Sequence, residues 1–150
     1  MTTYKGNRFK DNNLTDMTEN RVIKVIISWR PRAFGAASDD IPGCVAAAER
    51  LDEVIREYED GVKFYLEGLA PDEIPECLKG QYRFEYEYTI QALLHRYDGI
   101  LTRAALSRIT GIDPKILGHY MTGYRTPRTA RRKQIIDGLH RLGNELLATH

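Results

Sequence analysis

Residues 105–120 read Ala105-Leu106-Ser107-Arg108-Ile109-Thr110-Gly111-Ile112-Asp113-Pro114-Lys115-Ile116-Leu117-Gly118-His119-Tyr120, two helical patterns separated by a three-residue break. Leu106, Ser107 and Thr110 are the small or apolar contacts a first helix needs. Gly111 stands where a tight turn between helices needs a positive φ, which glycine adopts without steric cost. Ile112 is placed to plug the angle between the helices. Asp113 is a favoured N-cap, and Pro114 occupies the first helical position, where its missing N–H costs nothing. Leu117 and Tyr120 would anchor the second helix from beneath, leaving Lys115, Ile116, Gly118, His119 and Thr122 exposed. This is the spacing of a helix-turn-helix, whose second helix can lie in a DNA major groove.

The chain on the C-terminal side strengthens that reading. Gly123-Tyr124-Arg125-Thr126-Pro127-Arg128-Thr129-Ala130-Arg131-Arg132-Lys133 holds five basic residues and no acidic one. A last helix is expected over 129–147, with Ile135, Leu139, Leu142 and Leu146 on one face and Thr126 or Thr129 as its N-cap. Arg131, Arg132 and Lys133 then fall in its first turns, where cations oppose the helix dipole. A nearby anion would offset that cost, and DNA phosphate is the natural one. Thr102 is the expected N-cap of the helix before the turn. The expected DNA-contacting residues are Thr102, Arg103, Lys115, Ile116, His119, Arg125, Thr126, Arg128, Arg131 and Arg132. A further helix is expected over 90–97.

On the N-terminal side the period changes. Tyr82 to Thr89 alternates Tyr82, Phe84, Tyr86 and Tyr88 with Arg83, Glu85, Glu87 and Thr89, a half-buried strand with an aromatic face. Leu51, Val54, Ile55, Tyr58, Val62, Tyr65, Leu66 and Leu69 step by three and four, the stripe of an amphipathic helix ending near Gly68. Val22 to Trp29 reads as a strand with Ile23, Val25, Ile27 and Trp29 on one face. Residues 33–38 and 44–48 read as two more strands, separated by Asp39-Asp40-Ile41-Pro42-Gly43. Residues 1–20 are polar and without apolar period, and read as a disordered tail. The expected class is α+β: a β-β-β-α-β domain over 21–89, then an all-α domain over 90–150.

Charge divides at the same place. Residues 1–89 hold 12 Lys and Arg against 17 Asp and Glu, a charge of −5, and residues 90–150 hold 10 against 4, a charge of +6. Two surfaces with different partners are implied. The apolar fraction, 42%, is ordinary for a globular protein, and no apolar run approaches the roughly 20 residues that span a bilayer. With no basic-then-apolar leader, the expectation is a cytoplasmic protein without membrane association, whose Cys44 and Cys77 are reduced thiols.

Catalytic constellations are weak. Asp39, Asp40, Asp72, Glu73 and Glu76 cluster in two turns, whereas a two-metal site needs carboxylates converging from several strands. Two cysteines without a nearby His make a poor zinc set. There is no Gly-rich phosphate loop and no G-x-S-x-G elbow. His95 and His140 lie alone near apolar helix faces, and the Tyr82–Tyr88 aromatics suit a core beneath a helix better than a base-stacking platform. The expectation is a non-enzyme without cofactor or metal.

Residues 101–142 resemble the Cro/repressor-like, xenobiotic-response-element family of helix-turn-helix domains. With Val22–Trp29, Asp40-Ile41-Pro42-Gly43-Cys44-Val45-Ala46 and the helix ending Phe64-Tyr65-Leu66-Glu67-Gly68, residues 21–147 resemble a HicB-type antitoxin. That resemblance implies a partial RNase-H-like sheet that binds and blocks a small basic HicA-type RNA-cleaving toxin. It also implies a C-terminal domain that represses its own operon on double-stranded operator DNA as a homodimer or homotetramer. The pattern departs from the family at Pro114, where Gln is usual, and at Gly118, where Ser is frequent, so base readout falls to Lys115, Ile116 and His119. The other reading is a stand-alone ligand-responsive transcriptional regulator.

Overall fold

A computed structural model describes residues 21–150; the tail expected over 1–20 lies outside the described residues. The chain divides into two compact units that meet between Glu87 and Tyr88.

The first unit is α+β. Strands β1 (Arg21–Arg30), β2 (Ala33–Ala37) and β3 (Val45–Ala48) precede helix α1 (Leu51–Glu67), and β4 (Tyr82–Tyr88) follows it. The sheet order is β3-β2-β1-β4, with β2 antiparallel to both β1 and β3. Arg30 pairs with Ala33, so Pro31-Arg32 is a two-residue turn in which Arg32 takes a φ of 70°. The β1 alternation sends Ile23, Val25 and Ile27 inward, where they are fully buried. Val54, Tyr58 and Val62 of α1 are buried with them. Trp29 is only half-buried and meets Phe34 edge-on at 4.9 Å. On β4 the aromatics Tyr82, Phe84 and Tyr86 are half-buried, with Phe84 edge-on to Tyr58 at 5.8 Å. Both middle strands stop one residue short of the bounds read from sequence, because Ser38 and Cys44 belong to the turn between them, where the Ile41 carbonyl accepts from the Cys44 amide. A short 3-10 turn at Glu76–Leu78, which no sequence period announces, buries Leu78.

The second unit is all helix: α2 (Ile90–Arg96), α3 (Arg103–Thr110), α4 (Pro114–Thr122) and α5 (Thr129–Leu147). Its core is Ile90, Leu94, Leu106, Ile112, Leu117, Tyr120 and Ile135. Thr89 caps α2 by accepting from the Ala92 amide, and Thr102 caps α3 by accepting from the Ala105 amide. The expected N-cap of α5 is corrected: Arg128 holds that position, makes no side-chain cap, and is followed by Thr129 as the first helical residue. The α5 stripe also fades along its length: Ile135 is buried, Leu139 and Leu142 are half-buried, and Leu146 is exposed.

Among the described residues, no helix is long and apolar enough to cross a membrane.

Candidate nucleic-acid interface

The connection from α3 to α4 is built by local chemistry. Gly111 takes a φ of 73° and returns its amide to the Ser107 carbonyl, closing α3. Ile112 is buried. The Asp113 carboxylate accepts from the Lys115 amide at 2.8 Å and so starts α4. Thr110 ties the corner: its hydroxyl donates to the Leu106 carbonyl at 2.7 Å and accepts from the Ile112 amide at 3.3 Å. A buried hydroxyl satisfied on both sides stabilises one geometry, since leaving it unpaired costs about 1–3 kcal/mol.

Partners distant in sequence bond carbonyls at the C-terminal ends of α3 and α4. The α3 carbonyls of Ile109 and Thr110 accept from Arg141 at 3.1 Å and Gln134 at 2.8 Å, both on α5. The Met121 carbonyl near the end of α4 accepts from Gln91 at 3.1 Å, and the His95 ring nitrogen Nε2 lies 2.8 Å from it. Thus His95 braces α4. Gly138 lets α5 approach α3: a Cβ there would lie 2.8 Å from the Ile109 carbonyl oxygen.

The outward face of α4 differs from the expected one at three positions. Lys115 and Thr122 are exposed, as expected, whereas His119 is half-buried and its Nδ1 is buried without a hydrogen-bond partner among the described residues. Gly118 is buried: the Arg103 guanidinium lies across it, and a Cβ on Gly118 would meet Arg103 Nη1 at 2.9 Å. Glycine therefore makes room for a cation from α3 in the middle of this face. Ile116 is half-buried and packs against the core, so its side chain is turned largely inward.

His119 and Tyr124 form a second corner of the face. Their rings lie 4.9 Å apart, Tyr124 is 74% exposed, and the Arg125 amide donates to the His119 carbonyl. Gly123, with a φ of 78°, reverses the chain between them. Tyr124 was not among the residues expected at the site. The only signal for it was a lone aromatic embedded in a basic loop, which by itself also suits ordinary surface packing.

The basic run divides by environment. Arg125, Thr126 and Arg128 are exposed. Arg131 is half-buried and donates to Gln134 Oε1 at 3.3 Å. Arg132 is half-buried, and its Nη1 donates to the Tyr88 carbonyl at 2.8 Å, which ties the start of α5 to the first residue of this unit. Lys133 pairs with Asp137 one turn on. The first turn of α5 holds no acidic residue and no side-chain cap, so its exposed amides are open to water or an anion.

The turn carboxylates Asp39, Asp40, Asp72, Glu73 and Glu76 do not converge, and among the described residues no group of His, Cys, Asp and Glu could hold a metal ion. Instead Cys77 donates its thiol to the Asp40 carbonyl at 3.4 Å, which sets the two similar turns side by side. Glu76 is engaged by Lys79 and Arg21, and the Lys79 ammonium, foremost, holds its carboxyl below the usual carboxylate range. Burial pushes the Cys44 thiol up, away from the reactive thiolate.

No protein-family model, no curated protein and no solved structure matches this chain.

Proposed function

We propose that the second unit is a helix-turn-helix DNA-binding domain, that the first is a partial RNase-H-like partner-binding domain, and that the chain is a HicB-type antitoxin. In this reading it is not an enzyme. Its acidic first unit covers a small basic HicA-type RNA-cleaving toxin, and its basic second unit represses its own operon as an even-numbered oligomer.

The observation that carries the DNA half is the α3–α4 corner: a positive-φ glycine, a buried plug residue, and a capped, proline-started helix whose outer face gathers Lys115, Arg103 and His119. Lys115 stands at the leading turn of α4, where a major-groove helix meets base edges. Arg103, reaching over Gly118, and Arg125 and Arg128, in the loop before α5, suit phosphates on either side. Thr102 and Thr126 are exposed hydroxyls that add neutral phosphate donors. Arg131 donates to Gln134 within α5, whereas Arg132 acts from within by holding Tyr88. The antitoxin half rests on the resemblance of residues 21–89, their charge of −5 and the β-β-β-α-β order.

Two measurements test this. The first is titration of the full chain with the duplex upstream of its own gene and with random duplex, at several salt concentrations. Lys115→Ala should lower the preference for the cognate duplex, at about 1–3 kcal/mol per lost base contact. Arg128→Ala should weaken both duplexes alike. If Arg128→Ala removes the preference and Lys115→Ala leaves it intact, α4 is not the reading helix. The second is co-expression with the product of the neighbouring gene. Rescue of growth and co-purification are expected for an antitoxin; growth arrest that this chain does not relieve would remove the antitoxin reading.

A further inference from the structure

Helix α1 carries an unusual pair on its solvent side. Phe64 is 79% exposed, and Gly61, three residues before it, sits in the helix interior with nothing within 4 Å of where its Cβ would be. Mid-helix glycine is poorer than alanine, and here no backbone approach or positive φ calls for it. What the missing side chain leaves is space. Gly61 and Gly68 flank Phe64, and together with Tyr65, Leu69 and Tyr58 they form one wall of a groove of about 440 Å³. The opposite wall is Gly43, Cys44 and Val45, with Val45 76% exposed. This wall leads into β3, the last strand of the sheet on that side. An edge strand offers its outer backbone groups to an incoming chain.

The rim is acidic. Glu57, Asp60 and Glu67 lie at seven and four residues before Phe64 and three after it, so all three share its side of the helix. All are exposed. Asp39 and Asp40 stand exposed in the turn that runs into Gly43. The cations of α1, Arg56 and Lys63, stand one turn from Asp60 and Glu67 at i,i+4 spacing, so the acidic excess of the rim rests on Glu57, Asp39 and Asp40. An acidic rim repels nucleic acid and anionic lipid, and attracts a basic polypeptide.

We infer that this groove, between the second half of α1 and the start of β3, is the docking site for a basic protein segment that seats an apolar side chain beside Phe64 over Gly61. The inference rests on the antitoxin reading above and names the surface through which the first unit holds its toxin. The apolar floor supplies the anchor and the carboxylates set register and approach, the division of labour usual at interfaces with a buried centre and polar rim.

The test uses the full chain and the purified neighbouring-gene protein, in a variant without toxicity, in calorimetric titrations. Gly61→Ala places a methyl group where the incoming side chain would sit, without meeting any atom of the chain, and improves the helix, so it should leave the Tm unchanged or higher while weakening binding about tenfold or more. Phe64→Ala should weaken it similarly, and Glu57→Gln with Asp60→Gln should steepen the loss as salt falls. DNA binding should not change in any of them. Hydrogen exchange should show new protection at residues 44–48 and 61–68 on binding. If the wild-type chain binds the protein and Gly61→Ala binds it equally well, the groove is not the docking site although the antitoxin reading stands. If the wild-type chain binds nothing, that reading and this inference both fall. If Gly61→Ala instead dissociates an oligomer of the chain alone, the occupant is a second copy and the inference is overturned.

Discussion

Gly118 and Gly138 allow one prediction to be worked through, because the same Gly→Ala change should have opposite effects at the two positions. Both glycines are inside helices and both are buried. Replacing an interior helical glycine by alanine is worth about 0.8–1 kcal/mol in propensity. At Gly118 the new Cβ meets Arg103 Nη1 at 2.9 Å and Cζ at 3.2 Å, the far end of a flexible side chain. The guanidinium can swing outward and no backbone need move, so most of the propensity gain survives. For a unit of this size the gain raises its Tm by about 4–8 °C per kcal/mol. The swing takes Arg103 off the middle of the α4 face. If Arg103 meets a phosphate there, random duplex should bind with a salt slope shallower by about 0.9 and with lower affinity at low salt. At Gly138 the Cβ meets the Ile109 carbonyl oxygen at 2.8 Å and Thr110 Cα at 3.2 Å. These are backbone atoms of α3, so α5 must be pushed away, at a cost of about 1–3 kcal/mol that exceeds the propensity gain. The assay is thermal melting of each variant together with fluorescence-anisotropy titration of random duplex between low and moderate salt. Equal destabilisation by the two variants would refute the distinction between a yielding side chain and an unyielding backbone. A stable Gly118→Ala variant with an unchanged salt slope would refute the placing of Arg103 against phosphate.

Three further outcomes are expected. Arg32 holds a φ of 70° in the β1–β2 turn after Pro31, a conformation that costs a non-glycine residue roughly 1–2 kcal/mol; Arg32→Gly should therefore raise the denaturant midpoint, and a lower midpoint would show that the Arg32 side chain contributes more than its strained backbone costs. Burial pushes the Tyr58 hydroxyl up to about 12. Its neutral form is therefore favoured in the folded chain, so this contribution is complete below the unfolded value near 10 and is lost as pH rises from there towards 12. Chemical denaturation at pH 9 and pH 11.5 should show a larger loss for the wild type than for Tyr58→Phe, and equal losses would refute it. Tyr124→Ala should leave the fold intact, since the side chain is 74% exposed, but free the His119 ring and weaken binding of cognate duplex; unchanged binding would assign the ring pair to packing alone.

What could be read from the sequence was what local chemistry decides. Asp113-Pro114 start α4 at the residues expected, because cap and first-turn proline are both encoded within the segment they delimit. The β4 alternation and the α1 stripe were legible for the same reason. Thr89 proved to be the α2 cap rather than a strand residue, and residues this near an element boundary serve either neighbour. Contacts made across the chain were not legible. Nothing in the sequence around Gly118 says that Arg103, fifteen residues earlier, will cover it. Nothing in the basic run says that Arg132 will turn inward to Tyr88 while Arg128 stays out. Ile116 was read as exposed from its helical position, but it lies at the margin of the buried stripe, where a half-turn of packing decides.

The side chains that close the helix ends in the second unit have a consequence for how it opens. The carbonyls at the end of α3 depend on Gln134 and Arg141 of α5, and the Met121 carbonyl of α4 depends on Gln91 and His95 of α2. These partners lie 24 to 32 residues apart in sequence. Fraying of α3 or α4 at its C-terminal end would separate these carbonyls from their donors on α5 and α2. Amide exchange in α3, α4 and the first half of α5 should therefore proceed through one shared opening event with a single free energy, rather than as a ladder of local ones. A protease would then meet this unit either wholly closed or wholly open. Proteolysis within this unit would then follow that one equilibrium, and if the unit binds DNA as proposed, DNA would pull it towards the closed side in proportion to occupancy.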